Sequence, residues 1–342
     1  MQAFYLHGAK DLRPDQIEPP TINPDQVLVR IKATGICGSD MHYYEHGRNG
    51  DFVPERPFIL GHESAGQIVD AGAFSDILPV GTRVAIDPAH PCNDCTYCID
   101  GRYNLCPNMR YFGSAASSPP MDGTFRQFAP ARFLSCHPIP DDLSYQEAAL
   151  LEPLSVAIQG VKRAGNVAGK RILICGAGPI GQLIGLVARQ YGAARLAASD
   201  PRQTALDLAT TSWADIPIRP DLPGQLDEAA KSIGGFDLVI EASGAPAGLK
   251  TAYEMCNPGG TIVQLGTQPG EVCLPVNLVM QKELTLRGSF RFAHVFAQAL
   301  DLLASRRLDL RPLITDRFAF TDLVQGIETA TSPSSIKVVI DY

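Results

Sequence analysis

The sequence lacks any excess of basic residues. Its 36 Asp and Glu residues outnumber its 29 Lys and Arg residues, which gives a formal net charge of −7 at pH 7. Proteins that bind nucleic acid or an anionic membrane surface usually present a strongly basic patch or stripe. The composition therefore disfavours both of these classes of function.

The sequence also lacks a segment that would direct the chain to or through a membrane. The N-terminal residues MQAFYLHGAKDLRPD have no charged start followed by an apolar core, so we expect no signal peptide. The most apolar stretch, residues 172–188, is shorter than a membrane span of about 20 residues and contains a proline and four glycines. Nine cysteines without a secretion signal indicate a reducing compartment, and we expect the protein to be cytoplasmic.

Internal repeats are absent as well, and the 342 residues are enough for two packed domains. Runs such as QVLVRIKATGI in the first 150 residues alternate like strands between glycines and prolines, which predicts a compact β-barrel-like domain. Helical spacing then continues from Tyr145 to Gly165 or Gly169. Strand and helix patterns alternate over residues 170–288, which predicts a parallel sheet covered by helices on both faces. The final run, IKVVIDY, predicts a strand that returns to the first domain.

Four cysteines in the segment PCNDCTYCIDGRYNLCPN have the spacing of a zinc site. Two gaps of two residues and one of seven separate Cys92, Cys95, Cys98 and Cys106. Four thiolates around one point form the tetrahedral shell of a structural Zn²⁺, and such a closed shell leaves no position for a substrate. Disulfide pairing and packing as small apolar side chains are the alternatives. The spacing favours structural zinc, whose loss should lower stability before it affects chemistry.

A glycine-rich turn predicts a dinucleotide site. Gly176, Gly178 and Gly181 follow the apolar run RILIC and open an apolar helix, which is the context that this pattern requires. The helix N-terminus would present free N–H groups to a pyrophosphate. Asp200 lies nineteen residues after Gly181, where a carboxylate can accept the ribose hydroxyls and favour NAD, although a helix N-cap is its other interpretation. Arg202 nearby leaves NADP possible.

A second group of residues predicts a catalytic metal site. Cys37 lies in TGICGSDMHYY, and His62 and Glu63 lie in LGHESAG. Thiolate, imidazole and carboxylate suit a zinc ion that keeps one position open. Glu152, in LLEPLSV, is a further candidate ligand or substrate contact, or else an ordinary helix-start residue. Asp40 is expected to orient the imidazole of His62 without itself binding the metal.

At these residues the chain resembles the zinc-dependent medium-chain dehydrogenases, in the sorbitol dehydrogenase branch. The resemblance covers essentially the whole length and includes CGSDMHYYEHGRNGDF, LGHESAGQIV, LLEPLSVAI, CGAGPIG and the four-cysteine segment. Three stretches, PAHPCNDCTYC, MRYFGSAASSPPMDGTF and LRGSFRF, are more similar to the bacterial L-idonate 5-dehydrogenases. Alcohol dehydrogenases of the wider family use a second cysteine as third zinc ligand, where this chain has Glu152. Whether Glu63, Glu152 or water completes the shell stays open.

The resemblance implies an α/β fold of two domains. A GroES-like β-barrel catalytic domain would comprise residues 1–152 and 288–342, with a zinc lobe at 90–110, and a Rossmann doubly wound parallel sheet would comprise 153–287. The family also implies two zinc ions per chain, a catalytic cleft between the domains, and homodimers or homotetramers.

The resemblance further implies roles for single residues. Ser39 would accept the substrate hydroxyl proton and His42 would pass it to solvent, although Ser39 as a helix cap and His42 as an ordinary loop residue are the alternatives. The expected substrate contacts are Tyr43, Glu152, Arg291 and Phe292. The expected cofactor contacts are Gly176, Gly178, Pro179, Ile180, Gly181, Asp200, Arg202, Leu265, Gly266 and Thr267.

The substrate expectation comes from a departure in one pair of residues. The usual Arg-Tyr pair of the polyol enzymes is Arg291-Phe292 here, so one phenolic hydroxyl is missing. Arg291, with Arg110 as a second candidate, has the geometry to pair with a carboxylate. The hypothesis is therefore oxidation of a sugar acid, L-idonate to 5-keto-D-gluconate. A polyol substrate is the alternative, and a non-catalytic dinucleotide sensor or a zinc-ribbon nucleic-acid binder is disfavoured.

Overall fold

The computed structural model describes residues 1–342 and divides into two compact units. The first unit comprises Met1–Glu152 and Phe296–Tyr342, and the second comprises Pro153–Val295. None of the helices combines the length and the apolar composition that a membrane span requires.

Strands and helices alternate along the chain as follows. The strands are β1 Gln2–Gly8, β2 Asp11–Gln16, β3 Gln26–Gly35, β4 Phe58–Ile59, β5 Glu63–Asp70, β6 Arg83–Ile86, β7 Ala89–His90, β8 Arg110–Tyr111, β9 Phe128–Arg132, β10 Cys136–Pro138, β11 Arg171–Cys175, β12 Arg195–Ser199, β13 Ile216–Ile218, β14 Phe236–Glu241, β15 Cys256–Gln264, β16 Thr285–Gly288, β17 Ile314–Ala319 and β18 Lys337–Asp341. The helices are α1 Gly38–His46, α2 Thr96–Ile99, α3 Tyr145–Ala149, α4 Leu151–Ala164, α5 Pro179–Gln190, α6 Gln203–Ser212, α7 Gln225–Ile233, α8 Pro246–Met255, α9 Val276–Gln281, α10 Phe296–Ala304 and α11 Leu323–Ala330.

The first unit is built on a seven-stranded sheet. Its order is β10-β6-β5-β3-β18-β17, with β9 also paired to β3. Alternate side chains of β3 and β5, such as Val29 and Ile68, are fully buried in an apolar core. The last strand, β18, runs antiparallel to β3 with Val339 opposite Gly35, which confirms the predicted return of the C-terminus to the first domain.

The second unit is a six-stranded parallel sheet. Its order is β13-β12-β11-β14-β15-β16, and every neighbouring pair is parallel. Numbered within the unit, this is the 3-2-1-4-5-6 order of a Rossmann sheet. The predicted α/β fold class is confirmed.

The second boundary between the units differs from the predicted one. Residues 288–295 were expected in the catalytic domain, but they belong to the second unit. The reason is that β16 pairs with β15, and the next residue, Ser289, continues this pairing by donating its N–H to the carbonyl of Gln264 at 2.9 Å.

The helical spacing from Tyr145 onwards forms two helices rather than one. Helix α3 ends at Ala149, and α4 begins at Leu151. Pro153 explains the break, because a proline lacks the N–H that would bond to the carbonyl of Ala149, and its ring would clash with that carbonyl in a continuous helix.

Candidate functional site

The first unit brings Cys37, His62 and Glu63 together. Their sulfur, nitrogen and oxygen ligand atoms lie within 4.8 Å of one another. Cys37 precedes α1, and Glu63 begins β5 after His62. Strand pairing of Gly35 with Glu63 aligns the end of β3 with the start of β5, so the two sequence segments converge. One thiolate, one imidazole and one carboxylate at this spacing fit a zinc site that leaves a coordination position open.

Asp40 connects the two metal-binding segments. Its fully buried carboxylate accepts hydrogen bonds from the backbone N–H groups of Cys37, at 3.0 Å, and Gly61, at 3.1 Å. Its Oδ1 lies 3.8 Å from Nδ1 of His62, which is longer than a hydrogen bond. Burial opposes the charged imidazolium, but the Asp40 carboxylate and the Cys37 thiol raise the pKa of His62 well above its ordinary value.

Lys337 is a partner of Glu63 that the sequence analysis missed. Its ammonium contacts the Glu63 carboxylate and donates to the carbonyl of Ile36 at 2.8 Å, and both charged side chains are at least 96% buried. A side chain at Gly35 would overlap the Glu63 carboxylate, so the close pairing of β3 and β5 requires glycine there. A single lysine within the apolar run IKVVI was the available signal.

Glu152 lies outside the group of three ligand residues. Its buried carboxylate accepts a hydrogen bond of 2.6 Å from the hydroxyl of Tyr111, and burial raises the pKa of Glu152. The ring of Tyr111 also packs against the imidazole of His62 at 5.9 Å between centroids. Tyr111 was not anticipated from the sequence. The described geometry groups Glu63, rather than Glu152, with Cys37.

Helix α1 carries the three other predicted residues of this site. Ser39 is half-buried and His42 is exposed one turn later. Partial burial and the neighbouring His46, whose ring stacks on it at 6.0 Å, lower the pKa of His42, so its imidazole is neutral near pH 7. Tyr43 is 1% exposed, and its hydroxyl accepts a hydrogen bond from the N–H of Ala115 at 2.9 Å. Its role as a substrate contact stays a prediction.

The two arginines predicted to contact a substrate carboxylate, Arg110 and Arg291, lie in different units. Successive residues of a strand point to opposite faces, so Arg110 in β8 faces away from the neighbouring Tyr111 and therefore from the metal-binding residues. The role of Arg110 as a second candidate for a carboxylate contact stays a prediction. Arg291 belongs to the second unit, has a left-handed φ of 50° and lies over the ring of Phe290 at 4.9 Å. The adjacent Phe292 is 1% exposed, so its ring is packed in the interior.

The four-cysteine segment also forms a compact group. The sulfur atoms of Cys92 and Cys98 lie 4.0 Å apart, those of Cys95 and Cys98 lie 3.5 Å apart, and those of Cys106 and Cys92 lie 3.4 Å apart. Tetrahedral zinc with Zn–S bonds of about 2.3 Å requires sulfur separations of about 3.8 Å. All nine cysteines are free thiols, so the alternative of a disulfide does not apply. The donor set fits structural zinc.

The glycine-rich turn in the second unit has the expected shape. Gly176 has a left-handed φ of 94°, and a side chain there would overlap the backbone of Ser243. A side chain at Gly181 would overlap the carbonyl of Gly176, so glycine allows α5 to pack on the turn. Gly178 is the N-cap of α5, and Pro179 and Ile180 follow it in the first turn. The unbonded N–H groups of this helix end suit a phosphate.

Asp200 is held in place by the turn itself. Its buried carboxylate accepts from the N–H of Ala177 at 2.9 Å, and from the backbone N–H, Nε and Nη2 of Arg202 at 2.9, 3.0 and 3.1 Å. Helix α6 has Arg202 as its N-cap, so Asp200 is not a helix cap. The guanidinium of Arg202 also lies 3.4 Å from the place where a side chain at Gly178 would stand.

The remaining predicted cofactor residues lie at the ends of neighbouring strands. The N–H groups of Leu265 and Gly266, just after β15, donate to the carbonyl of Glu241 at the end of β14 at 3.0 and 2.9 Å. The backbone of Thr267 lies against Gly244. The carboxyl ends of parallel strands beside the point where the strand order reverses are where dinucleotides bind in this type of sheet.

Comparisons with known proteins identify the family of the chain. Family descriptions match residues 23–141 as "Alcohol dehydrogenase GroES-like domain" and residues 179–305 as "Zinc-binding dehydrogenase". D-xylulose reductase of Saccharomyces cerevisiae is 40% identical over 94% of this chain and 92% of its own length. Sorbitol dehydrogenase of Mus musculus is 36% identical over 99% and 95%, respectively. The crystal structure of L-idonate 5-dehydrogenase from Escherichia coli has a TM-score of 0.93 and 35% identity, covering 100% of this chain and 98% of that one. The chain therefore belongs to the zinc-dependent medium-chain dehydrogenase family that includes the sorbitol dehydrogenases.

Proposed function

We propose that the protein catalyses the reversible, NAD(P)-dependent oxidation of a secondary hydroxyl in a polyhydroxylated small molecule. Zinc and NAD(P) are the cofactors typical of its family. The observation that carries the proposal is the convergence of Cys37, His62 and Glu63 within one unit. Zinc held by these residues would act as a Lewis acid that lowers the pKa of a bound alcohol.

The protein's own residues then have distinct tasks. Ser39 accepts the hydroxyl proton of the substrate, and the neutral imidazole of His42, three residues later on the same helix, conducts it toward solvent. Lys337 holds the Glu63 carboxylate, and Asp40 holds the backbone beside Cys37.

Metal analysis tests the catalytic site. The parent protein should contain two zinc ions per chain, and Cys37→Ser should keep one and lose dehydrogenase activity. Cys98→Ser is the matched control, since it should lose the other ion and unfold at a lower temperature. Full zinc content with no activity toward any alcohol would instead favour a dinucleotide-binding sensor.

The finer assignment is oxidation of L-idonate at C5 to 5-keto-D-gluconate. It is supported by the full-length likeness to L-idonate 5-dehydrogenase and by Arg291, whose guanidinium suits a carboxylate. Arg291→Ala should then weaken the binding of a sugar acid far more than that of a neutral polyol. Equal losses for both substrates would contradict the carboxylate role.

A neutral polyol is the second candidate substrate. It is supported by the 40% and 36% identity to a D-xylulose reductase and a sorbitol dehydrogenase. A panel of idonate, sorbitol, xylitol, galactitol and threonine, each with NAD and NADP, distinguishes the candidates by kcat/KM. Idonate ranking below the neutral polyols would overturn the sugar-acid assignment.

The same panel examines the choice of dinucleotide. The Asp200 carboxylate already accepts four hydrogen bonds, three of them from Arg202. NAD use requires the carboxylate to bind the ribose hydroxyls, whereas NADP use would recruit the Arg202 guanidinium to the extra phosphate. Arg202→Gln should therefore reduce kcat/KM with NADP more than with NAD.

A further inference from the structure

The first unit contains a cavity that is not lined by the residues of the proposed metal site. Its volume is about 380 Å³, and none of Cys37, His62 and Glu63 lines it. Its lining contains four arginines, Arg56, Arg110, Arg126 and Arg132, together with His90. Four guanidinium groups around one cavity are unusual in a chain whose net charge is −7.

Only two of these four arginines are neutralised by a partner in the lining. Arg56 pairs with Asp122 at 3.3 Å, and Arg132 pairs with Asp25 at 3.6 Å. Neither Arg110 nor Arg126 forms an ion pair or a side-chain hydrogen bond in the structure. Four positive charges against two negative ones leave two positive charges in the cavity, which is the charge that a dianion would balance.

Arg126 is the strongest indication that a ligand is required. Its residue is only 7% exposed, and its Nε–H has no hydrogen-bond partner. Burial lowers the pKa of Arg126, because the charged form is removed from water. Asp122 attracts this guanidinium but forms its ion pair with Arg56, so a bound anion would supply negative charge that the lining lacks.

The strand pairing places His90 and Arg110 beside the same cavity. The two residues are opposite each other in the β7–β8 ladder, so their side chains lie on the same face, away from Tyr111. His90 is 6% exposed, and its Nε2 also lacks a hydrogen-bond partner. Two buried, unpartnered polar groups thus line one cavity together with an unpaired exposed arginine.

We infer that this cavity is a binding site for a phosphate-type oxyanion, either free or carried by a small molecule. Guanidinium groups bind such tetrahedral anions through paired, charge-assisted N–H···O bonds. The volume lies within the range of small-molecule sites, about 300–1,000 Å³, so a phosphate monoester fits as well as the free ion. The site is independent of the dehydrogenase reaction.

Calorimetric titration of the zinc-loaded, full-length protein with inorganic phosphate tests the site. Saturating NAD is present so that the glycine-rich turn is occupied, and chloride keeps the ionic strength constant. The parent protein should bind phosphate saturably. Arg110→Gln, at an exposed position, and Arg126→Gln should each weaken binding by about tenfold or more, since each removes a charge-assisted hydrogen bond.

Arg311→Gln is the matched control, with the same change in charge. Arg311 is an exposed residue of the first unit, paired with Asp309 at 2.8 Å and absent from the cavity lining. It should change the dissociation constant by less than about twofold, as expected for a remote surface pair. Failure of the parent to bind phosphate saturably, or equal effects of Arg110→Gln and Arg311→Gln, would overturn the inference. If Arg126→Gln fails to fold, the comparison of Arg110→Gln with Arg311→Gln still decides whether the cavity binds phosphate.

The source of the phosphate is resolved by a second titration with glucose 6-phosphate as the probe. Tighter binding of the ester than of inorganic phosphate, with the same sensitivity to Arg110→Gln, assigns the site to phosphorylated small molecules. Equal or weaker binding assigns it to the free oxyanion.

Discussion

At the scale of single residues, the metal-binding group contains a buried pair of opposite charges. Glu63 and Lys337 are 1% and 4% exposed, and each supplies the opposite charge to the other. A buried charge whose partner is removed keeps its desolvation cost and loses its compensation.

Replacing Lys337 should therefore be strongly destabilising. Lys337→Met should lower the free energy of unfolding of the metal-free protein by about 3–5 kcal/mol, because Glu63 is then buried with neither lysine nor zinc to balance its charge. The double variant Glu63→Gln/Lys337→Met should recover part of that loss, as measured by urea unfolding. Lys10→Met, which breaks the exposed pair with Glu45, should cost less than about 1 kcal/mol. A double variant no more stable than Lys337→Met would contradict the buried-pair account.

The second prediction at this scale concerns Asp87 and pH. Burial raises the pKa of Asp87 from 3.8 to about 7, although its carboxylate accepts a hydrogen bond from the N–H of Ala89. Between these two pH values the folded protein keeps a proton that the unfolded chain releases, so this residue makes stability fall as the pH rises. The free energy of unfolding of Asp87→Asn, relative to that of the parent, should therefore be higher at pH 8 than at pH 5. Urea unfolding at both pH values measures it. If the parent and the variant differ in free energy of unfolding by the same amount at pH 5 and at pH 8, Asp87 does not titrate in this range.

Among the elements, the segment of β11, the glycine-rich turn and α5 leaves the least space for an added side chain. The carbonyl of Gly176 occupies the position where a side chain at Gly181 would stand. The helix would have to move away from the strand to accommodate even a methyl group, and its N-terminus would move with it.

Gly181→Ala should consequently abolish dinucleotide binding and lower the unfolding temperature. Gly288→Ala is the control in the same unit, since a side chain there has nothing within 4 Å and its φ is not left-handed. Fluorescence titration with NADH and thermal unfolding measure the two effects. Normal NADH affinity in Gly181→Ala would show that α5 can shift without cost.

For the whole molecule, one edge of the parallel sheet is where we expect a second chain to pair. Strand β16 is one of the two edge strands, and all four of its residues are exposed, including the apolar Leu286 at 45%. Val276 and Met280 in α9 are each 67% exposed. Unpaired edge strands with apolar side chains favour pairing with a second chain, and the homodimer or homotetramer expected from the sequence stays a prediction.

Sedimentation velocity tests this expectation directly. The parent should sediment as a dimer or tetramer, and Leu286→Glu should shift it to a smaller species, because a charge at the edge opposes pairing. Ile77→Glu, at a 67% exposed position of the first unit, should leave the assembly unchanged. A parent that sediments as a monomer would contradict the expectation.

Contacts between residues far apart in the chain could not be predicted from the sequence. Lys337 lies 301 residues from Ile36, whose carbonyl it binds, and only the pairing of β18 with β3 places it beside Glu63. The direction of the Arg110 side chain likewise depends on which face of β8 it occupies, and no pattern in the sequence sets that face. The helical periodicity continues across Pro153 and predicts one helix, whereas the proline ring divides it into α3 and α4.

The sequence by itself determined the features whose chemistry is written in local spacing. These are the four-cysteine zinc segment, the glycine-rich turn before α5, the two-domain α/β fold and the family. The tertiary structure alone decided which carboxylate joins Cys37 and His62, what neutralises that carboxylate, and that four arginines surround one cavity. The physical reason is that strand pairing in the first unit joins residues far apart in the chain, and the register of those strands sets which side chains face each other.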